Sequence, residues 1–165
     1  MRVRARAEIA GVADQRRFAR LERLLKSTRS RLVFFDYNHG TVLVRANPCL
    51  LIDSVNELRN LIRRCVFRLT IFVRPASGVR ELCSEAVKLS SDHERCVIGK
   101  VKNAILVADI SLAKDYARVA VVKHSGPGIL DLTSPILLTP TEFPCTEIPN
   151  LINEISRVLP LCRVE

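Results

Sequence analysis

The feature that most restricts the fold is the order in which strand-type alternation and helix-type spacing of apolar residues follow each other across the first 74 residues. Residues 2–12 alternate between charged and apolar side chains, which predicts a half-buried strand. A helix is predicted from Asp14 to about Thr28, because Asp14 is a good N-cap and leucines recur behind it at helical spacing. Two further strands, RLVFFDY and GTVLVRA, meet at a turn around residues 38–40.

A second amphipathic helix and a fourth strand complete this pattern. Asn47-Pro48 predicts a helix start, CLLIDSVNELRNLIRR carries an apolar stripe, and VFRLTIFV is rich in strand-forming residues. The resulting β-α-β-β-α-β order is that of the ferredoxin-like unit, an antiparallel sheet with two helices on one face. The predicted fold class is therefore α+β: a ferredoxin-like sandwich with an additional helix at about 79–90 and a C-terminal, strand-rich extension.

The last third of the chain differs in composition from the first. CVIGKVKNAILVADIS and ARVAVVKHS are strand-like, HSGPG at 124–128 predicts a loop, and 150–158 predicts a short closing helix. Residues 1–31 carry a net charge of +7, whereas the residues from Val101 onward carry −1, within a total of +9. We predict two units: a ferredoxin-like core at 1–92 and an extension at 93–165 that packs on it.

The cysteines and histidines indicate no metal site. The chain has six cysteines and three histidines, with no spacing typical of a zinc site or of a disulfide framework. The cysteines mostly stand where apolar residues recur, which predicts buried, reduced thiols in an intracellular protein.

No pattern of catalytic groups or cofactor-binding residues is present either, so we predict no intrinsic enzymatic activity, no catalytic residue, no metal and no cofactor. The turn PASG at 75–78 is interpreted as a plain turn, with phosphate binding at the start of the following helix as the alternative. No apolar run approaches the roughly 20 residues of a membrane span, so a membrane is not among the predicted partners.

The clustering of basic charge toward the N-terminus is typical of a protein with a polyanionic partner. Alternation places three arginines on one side of the first strand, which in a ferredoxin-like unit is the sheet face without helices. Aromatic residues make up 5% of the chain and are not evident at exposed sheet positions. We therefore expect binding to the backbone and shape of a structured RNA, not to unpaired bases. The predicted RNA-binding residues are Arg2, Arg4, Arg6, Arg16, Arg17, Arg45, Arg68, Arg74 and Arg80.

Two of these stretches resemble a known family. LVFFDYNHGTVLVRANPCLLIDSVNELRNLI, followed by VFRLTIFVRPASGVRELCSEAVKL, is similar to the small α/β protein subunit shared by ribonuclease P and ribonuclease MRP, the Pop-five family. MRVRARAEIAGV is similar to the basic opening strand of that family, so the resemblance covers about residues 1–90. The matching positions are Tyr37, Gly40, Val44, Arg45, Ser77, Gly78, Val79 and Arg80.

The resemblance implies a non-catalytic subunit of an RNA-based endoribonuclease that processes tRNA precursors and, for ribonuclease MRP, ribosomal RNA. The RNA would perform the cleavage with metal ions, and the protein would stabilise the folded RNA alongside other protein subunits. The implied location is the nucleus or nucleolus, with the mitochondrion as the alternative because the N-terminus is arginine-rich.

Two other classes of function stay open. One is a ribosomal or mitoribosomal protein or a ribosome assembly factor, because ILVADISLAKDYARVAVV is similar to the strand–turn–strand of small ribosome-binding factors. Asp115, Tyr116 and Ala117 would match the turn of that motif. The other class is a protein–protein adaptor whose open sheet face is covered by another subunit.

Overall fold

A computed structural model describes residues 1–124 and 128–162 and has a mixed α+β fold built on one antiparallel sheet. Residues 125–127 of the predicted loop lie outside the described residues. The strands are β1 (Arg2–Val12), β2 (Arg31–Asp36), β3 (Thr41–Ala46), β4 (Arg63–Arg74), β5 (Val87–Lys88), β6 (His93–Val101), β7 (Ala104–Ser111), β8 (Tyr116–Lys123) and β9 (Phe143–Pro144). The helices are α1 (Gln15–Ser27), the single turn α2 (Pro48–Leu51), α3 (Val55–Leu61) and α4 (Ile148–Ser156).

The strands lie in the order β2-β3-β1-β4-β8-β7-β6-β5, and β9 pairs with the beginning of β4. The predicted β-α-β-β-α-β order of the first 74 residues is confirmed, and its four strands are neighbours in the sheet. β8 pairs with β4, Val119 opposite Ile71, so the C-terminal strands continue the same sheet. The proposed boundary at residue 92 stays a prediction, and the sheet is continuous across it.

Helix α1 begins where the sequence predicts. The Asp14 side chain accepts a hydrogen bond from the Arg17 backbone N–H at 2.9 Å, which satisfies one of the free donors at the helix start. At the other end the Thr28 N–H bonds the Leu24 carbonyl. The second predicted helix is instead divided into α2 and α3 by a 3₁₀ turn at Ile52–Ser54.

The main hydrophobic core lies between one face of the sheet and the helices. Odd-numbered residues of β1 and β4 point into it, because successive side chains of a strand alternate between faces. Each fully buried aliphatic or aromatic side chain stabilises the fold by about 1.5–3 kcal/mol. The largest fully buried side chains are Phe67, Ile9, Leu21, Leu51, Leu58, Ile62, Leu69, Ile71, Leu106, Ile110, Ile148 and Ile152.

The prediction of a helix at 79–90 is wrong. Only a 3₁₀ turn forms, at Val79–Leu82, and it ends because Cys83 is extended, with φ −123° and ψ 120°. Cys83 forms a disulfide with Cys96 of β6, and the residues that follow pair with β6 as β5. Tertiary pairing has therefore overridden a helical apolar pattern, as it can because helix propensity is weak. The closing helix predicted at 150–158 is confirmed as α4.

The cysteine prediction is also wrong, because all six cysteines are paired in three disulfides. The pairs join residues distant in sequence, and their Cα atoms lie 5.5–6.0 Å apart, within the range that a disulfide requires. Sequence spacing does not reveal such pairs, because the fold alone brings their partners together. The pairs are Cys49–Cys162, Cys65–Cys145 and Cys83–Cys96.

Residues 128–142, hereafter the covering segment, lie over part of the sheet face opposite the helices. Leu137, with Leu130 and Leu132, packs on four small or branched residues of β7 and β8, forming a second, smaller core. This part of β7 and β8 is therefore buried. The half formed by β2, β3, β1 and β4 is the one that the covering segment leaves open to solvent, and it is hereafter the open face. The residues beneath the covering segment are Ile105, Val107, Ala120 and Val122.

Candidate nucleic-acid interface

Strand register brings the arginines of β1 together with those of β4. Arg2 lies opposite Arg74, Arg4 opposite Phe72, and Arg6 opposite Thr70. Directly opposed residues of an antiparallel pair project from the same face, so these side chains all lie on the open face. Arg2, Arg4, Arg6 and Arg74 are exposed. Within residues 1–124 and 128–162, no carboxylate lies within 4.0 Å of their nitrogen atoms.

Arg45 and Arg68 also lie on the open face, but acidic residues of the same chain accompany them. Glu8 stands between them in register, and its Oε1 lies 3.4 Å from Arg45 Nε. Glu142, the last residue of the covering segment, places Oε1 2.7 Å from Arg68 Nη2. These two guanidinium groups are therefore partly neutralised, whereas the arginines nearer the N-terminus of β1 are not.

The other three predicted residues lie elsewhere. Arg16 and Arg17 belong to α1, on the side of the sheet opposite the open face. Arg17 is held within the chain: its Nη1 donates to the Asn60 carbonyl at 2.7 Å and its Nε lies 3.6 Å from Asp14 Oδ2. Arg80 is exposed in the 3₁₀ turn that follows β4. The predicted set therefore divides into one group of six on the open face and three outside it.

The alternative of a phosphate site at the PASG turn is wrong, because no helix follows the turn. The backbone N–H of Val79, which would face an anion, instead donates to Asp115 Oδ1 at 3.1 Å. Gly78 adopts φ 103°, which suits glycine alone among common residues and makes the turn possible. The segment is a plain turn held by a carboxylate from the β7–β8 connection.

The expectation that the open sheet face lacks aromatic side chains is wrong as well. Phe72 lies on it, half-buried, and Arg6 places its guanidinium carbon 5.4 Å from the ring centroid. This distance is within the range of a cation–π contact. Tyr116, at the start of β8, lines the same groove of about 190 Å³, with Arg2, Arg4 and Arg74. The signal was in the sequence, because Phe72 shares the even parity of Arg68 and Arg74.

Two arginines that the sequence did not single out hold the covering segment. Arg95 is 2% exposed, and its Nη1 donates to the carbonyls of Leu132 and Ser134. Arg118 Nη2 donates to the Leu138 carbonyl at 3.3 Å. Both arginines lie opposite Asp109 of β7 in register. Both arginines have a structural role, because Arg95 Nη1 and Arg118 Nη2 hold backbone carbonyls of the covering segment.

In the part of the chain that the structure describes, no three histidine, cysteine or acidic residues are grouped in a way that would hold a metal ion. No described helix is long and apolar enough to cross a membrane. The carboxyl of Asp36 has its pKa lowered, mainly by the hydrogen bond with His39 and then by the Asn38 backbone N–H. That group belongs to the exposed β2–β3 turn, away from the arginines.

Comparisons of this chain with protein-family models, with curated proteins and with solved structures find no match.

Proposed function

We propose that this chain is a non-catalytic RNA-binding subunit of a tRNA-processing ribonucleoprotein of the ribonuclease P and MRP type. The observation that carries the proposal is the group of unpaired guanidinium groups on the open face: Arg2, Arg4, Arg6 and Arg74. As part of the proposal, the first 74 residues form a ferredoxin-like unit, supported by their element order and by the neighbouring strands β2-β3-β1-β4.

The physical basis is the release of counterions. Each arginine that neutralises an RNA phosphate displaces a condensed cation, so affinity falls with rising salt in proportion to the number of contacts. Four arginines that have no acidic partner among the described residues are available for such contacts on one surface. Arg45 and Arg68 must first leave Glu8 and Glu142, so they contribute less.

The protein partners of the proposal are other subunits of the same particle. β2 is an edge strand, and Val33, Phe34 and Tyr37 at that edge are 40%, 54% and 62% exposed. An edge strand with exposed apolar side chains favours pairing with another chain. The same observation favours the second candidate function, a protein–protein adaptor. Proteins recovered with the chain, free of RNA, would support that candidate instead.

The proposed location is the nucleus or nucleolus, with the mitochondrion as the alternative. Disulfides are rare in nuclear and cytosolic proteins, because glutathione and thioredoxin keep thiols reduced there. A nuclear location therefore requires that the three disulfides of the structure be reduced in the cell. Alkylation of the protein at the moment of cell lysis tests this: six labelled cysteines agree with a nuclear protein, and none labelled with an oxidising compartment.

The decisive experiment removes the arginines of β1. We expect Arg2→Ala, Arg4→Ala and Arg6→Ala together to weaken RNA binding and to reduce the salt slope of log K by about 2 to 3. The matched control is Arg20→Ala, Arg23→Ala and Arg59→Ala, which removes three exposed charges from the helix side. Equal losses in both variants would show that only total charge matters, and no loss in the first would overturn the proposal.

The class of particle is tested by sequencing the RNA that purifies with the protein. One abundant structured RNA, together with cleavage of tRNA precursors, is the expected result. Recovery of whole ribosomal subunits would assign the chain to the ribosomal alternative. In that case the β7–β8 turn with Asp115 would correspond to the strand–turn–strand of small ribosome-binding factors.

A further inference from the structure

We infer that the groove around Phe72 binds one unpaired nucleotide of the RNA, with its base stacked on the aromatic ring and its phosphates held by Arg2, Arg4 and Arg74. This inference rests on the proposed function and specifies the RNA element bound at this site. It also changes the expected mode of recognition, which the sequence had suggested to be backbone and shape alone.

The aromatic ring stands in the middle of the open basic surface. Phe72 lies directly opposite Arg4 on one neighbouring strand and Arg118 on the other. The Arg6 guanidinium lies over the ring, with its carbon 5.4 Å from the centroid, so a base reaches the ring face when Arg6 moves aside. Unpaired bases stack on aromatic rings in this way, and the displaced guanidinium remains close enough to contact a phosphate.

The groove has the charge that a nucleotide needs. Three of its lining side chains are Arg2, Arg4 and Arg74, and its second aromatic residue is Tyr116. Asp115 lies on the surface next to the groove, and its Oδ1 accepts a hydrogen bond from the Val79 backbone N–H. The groove therefore combines positive charge with an aromatic surface.

The far wall of the site is fixed in place. Arg118, on the other side of Phe72, donates to the carbonyl of Leu138 in the covering segment. The covering segment packs on β7 and β8 next to it. RNA that crosses the sheet from β1 toward β8 meets this segment just past Phe72, which favours a single stacked base over a continuous row of them.

The combination of groups selects an unpaired nucleotide over other polyanions. The bases of an A-form helix remain stacked on each other, and only unpaired ones present a free ring face to a protein. Phosphate contacts alone would not need Phe72 on this surface. Base–aromatic stacking tolerates any sequence, so the site is specific for an unpaired nucleotide and not for a particular base.

The test uses Phe72→Leu, which keeps an apolar side chain in the half-buried position and removes the aromatic face. The probes are a fluorescently labelled RNA hairpin with one bulged, unpaired nucleotide and the same hairpin with that position abasic. The matched control is Phe18→Leu, the same change at a half-buried phenylalanine of α1, on the helix side of the sheet. Thermal melting of each variant verifies that the fold is retained.

We expect Phe72→Leu to weaken binding of the intact RNA by about 5- to 150-fold, and Phe18→Leu to leave it unchanged. For the unaltered protein, one abasic position weakens binding to a similar degree. The abasic position has no further effect in Phe72→Leu, because the stacking contact between the base and the ring is already lost.

Two results overturn the inference. Either Phe72→Leu binds as the unaltered protein does, or the abasic hairpin binds as tightly as the intact one. If the triple arginine variant still loses affinity in that case, the proposed function stands and the nucleotide site alone is refuted. If the unaltered protein binds none of the RNAs, the proposed function fails and the inference fails with it.

Discussion

The Arg45 guanidinium faces the Glu8 carboxylate across two adjacent strands, with Nε 3.4 Å from Oε1. The two residues are directly opposite in the antiparallel register of β1 and β3. Both side chains are more than one third exposed, so the pair adds only about 0–1 kcal/mol to stability. Its main consequence is electrostatic, because it withdraws one positive charge from the open face. An arginine among apolar neighbours in β3 is thus explained by alternation, which points it away from the core.

Glu8→Gln should therefore strengthen RNA binding and steepen its salt dependence by up to about 1 in log K against log salt, because Arg45 becomes free to contact a phosphate. Filter binding over a salt series measures this change. Glu142→Gln, which frees Arg68 in the same way, is the parallel test. Arg45→Gln should cancel the gain of Glu8→Gln. A loss of affinity in Glu8→Gln would show that the carboxylate itself assists binding.

The disulfides should stabilise the chain to different degrees. Cys65–Cys145 spans 80 residues and Cys83–Cys96 spans 13. On the loop-entropy account, removing the first pair by double alanine substitution lowers the free energy of unfolding by about 4 to 5 kcal/mol, and removing the second by about 3 kcal/mol. Urea unfolding of both variants, with non-reducing mass spectrometry to verify pairing, measures the difference. An equal loss in both would indicate that loop length is not the governing factor.

Arg95→Met should loosen the covering segment. The change keeps the apolar stem but leaves the carbonyls of Leu132 and Ser134 without their donor, at a cost of about 1–3 kcal/mol. Hydrogen exchange should rise within residues 128–142 and little elsewhere. Arg80→Met, at an exposed position, is the control and should change nothing. Unchanged exchange in Arg95→Met would mean that the apolar contacts hold the segment without it.

The β2–β3 turn should respond to acid through Asp36. Hydrogen bonds from His39 and from the Asn38 backbone N–H lower the pKa of this carboxyl below its ordinary 3.8. Because the folded pKa is depressed, the stabilisation is present above the unfolded value of about 3.9 and is lost as pH falls through the folded value.

His39→Gln should raise the pKa of Asp36 toward its ordinary value, which carboxyl-carbon NMR titration measures. Asp131, whose pKa is lowered by Thr133, is the internal control and should not move. If Asp36 titrates unchanged in His39→Gln, the backbone donors alone account for its low pKa.

The spacing of apolar, charged and capping residues predicted the strands and helices that form from local sequence. The alternation of β1, the Asp14 cap of α1 and the apolar stripe of α4 were all visible as residues at fixed spacing. Alternation also placed Arg2, Arg4 and Arg6 on one side of their strand. The same parity rule, applied to β4, places Phe72 on one side with Arg68 and Arg74, so the position of this aromatic ring is also encoded locally.

The sequence by itself determined the order of the first strands and helices and which side of each strand is charged, because periodicity and capping act over a few residues. Tertiary structure alone decided that Cys83 pairs with Cys96 and so ends the turn where a helix was expected. It also decided that Glu8 and Glu142 neutralise two arginines while the others stay free. These outcomes depend on register and on contacts between residues far apart in the chain, and no local pattern encodes them.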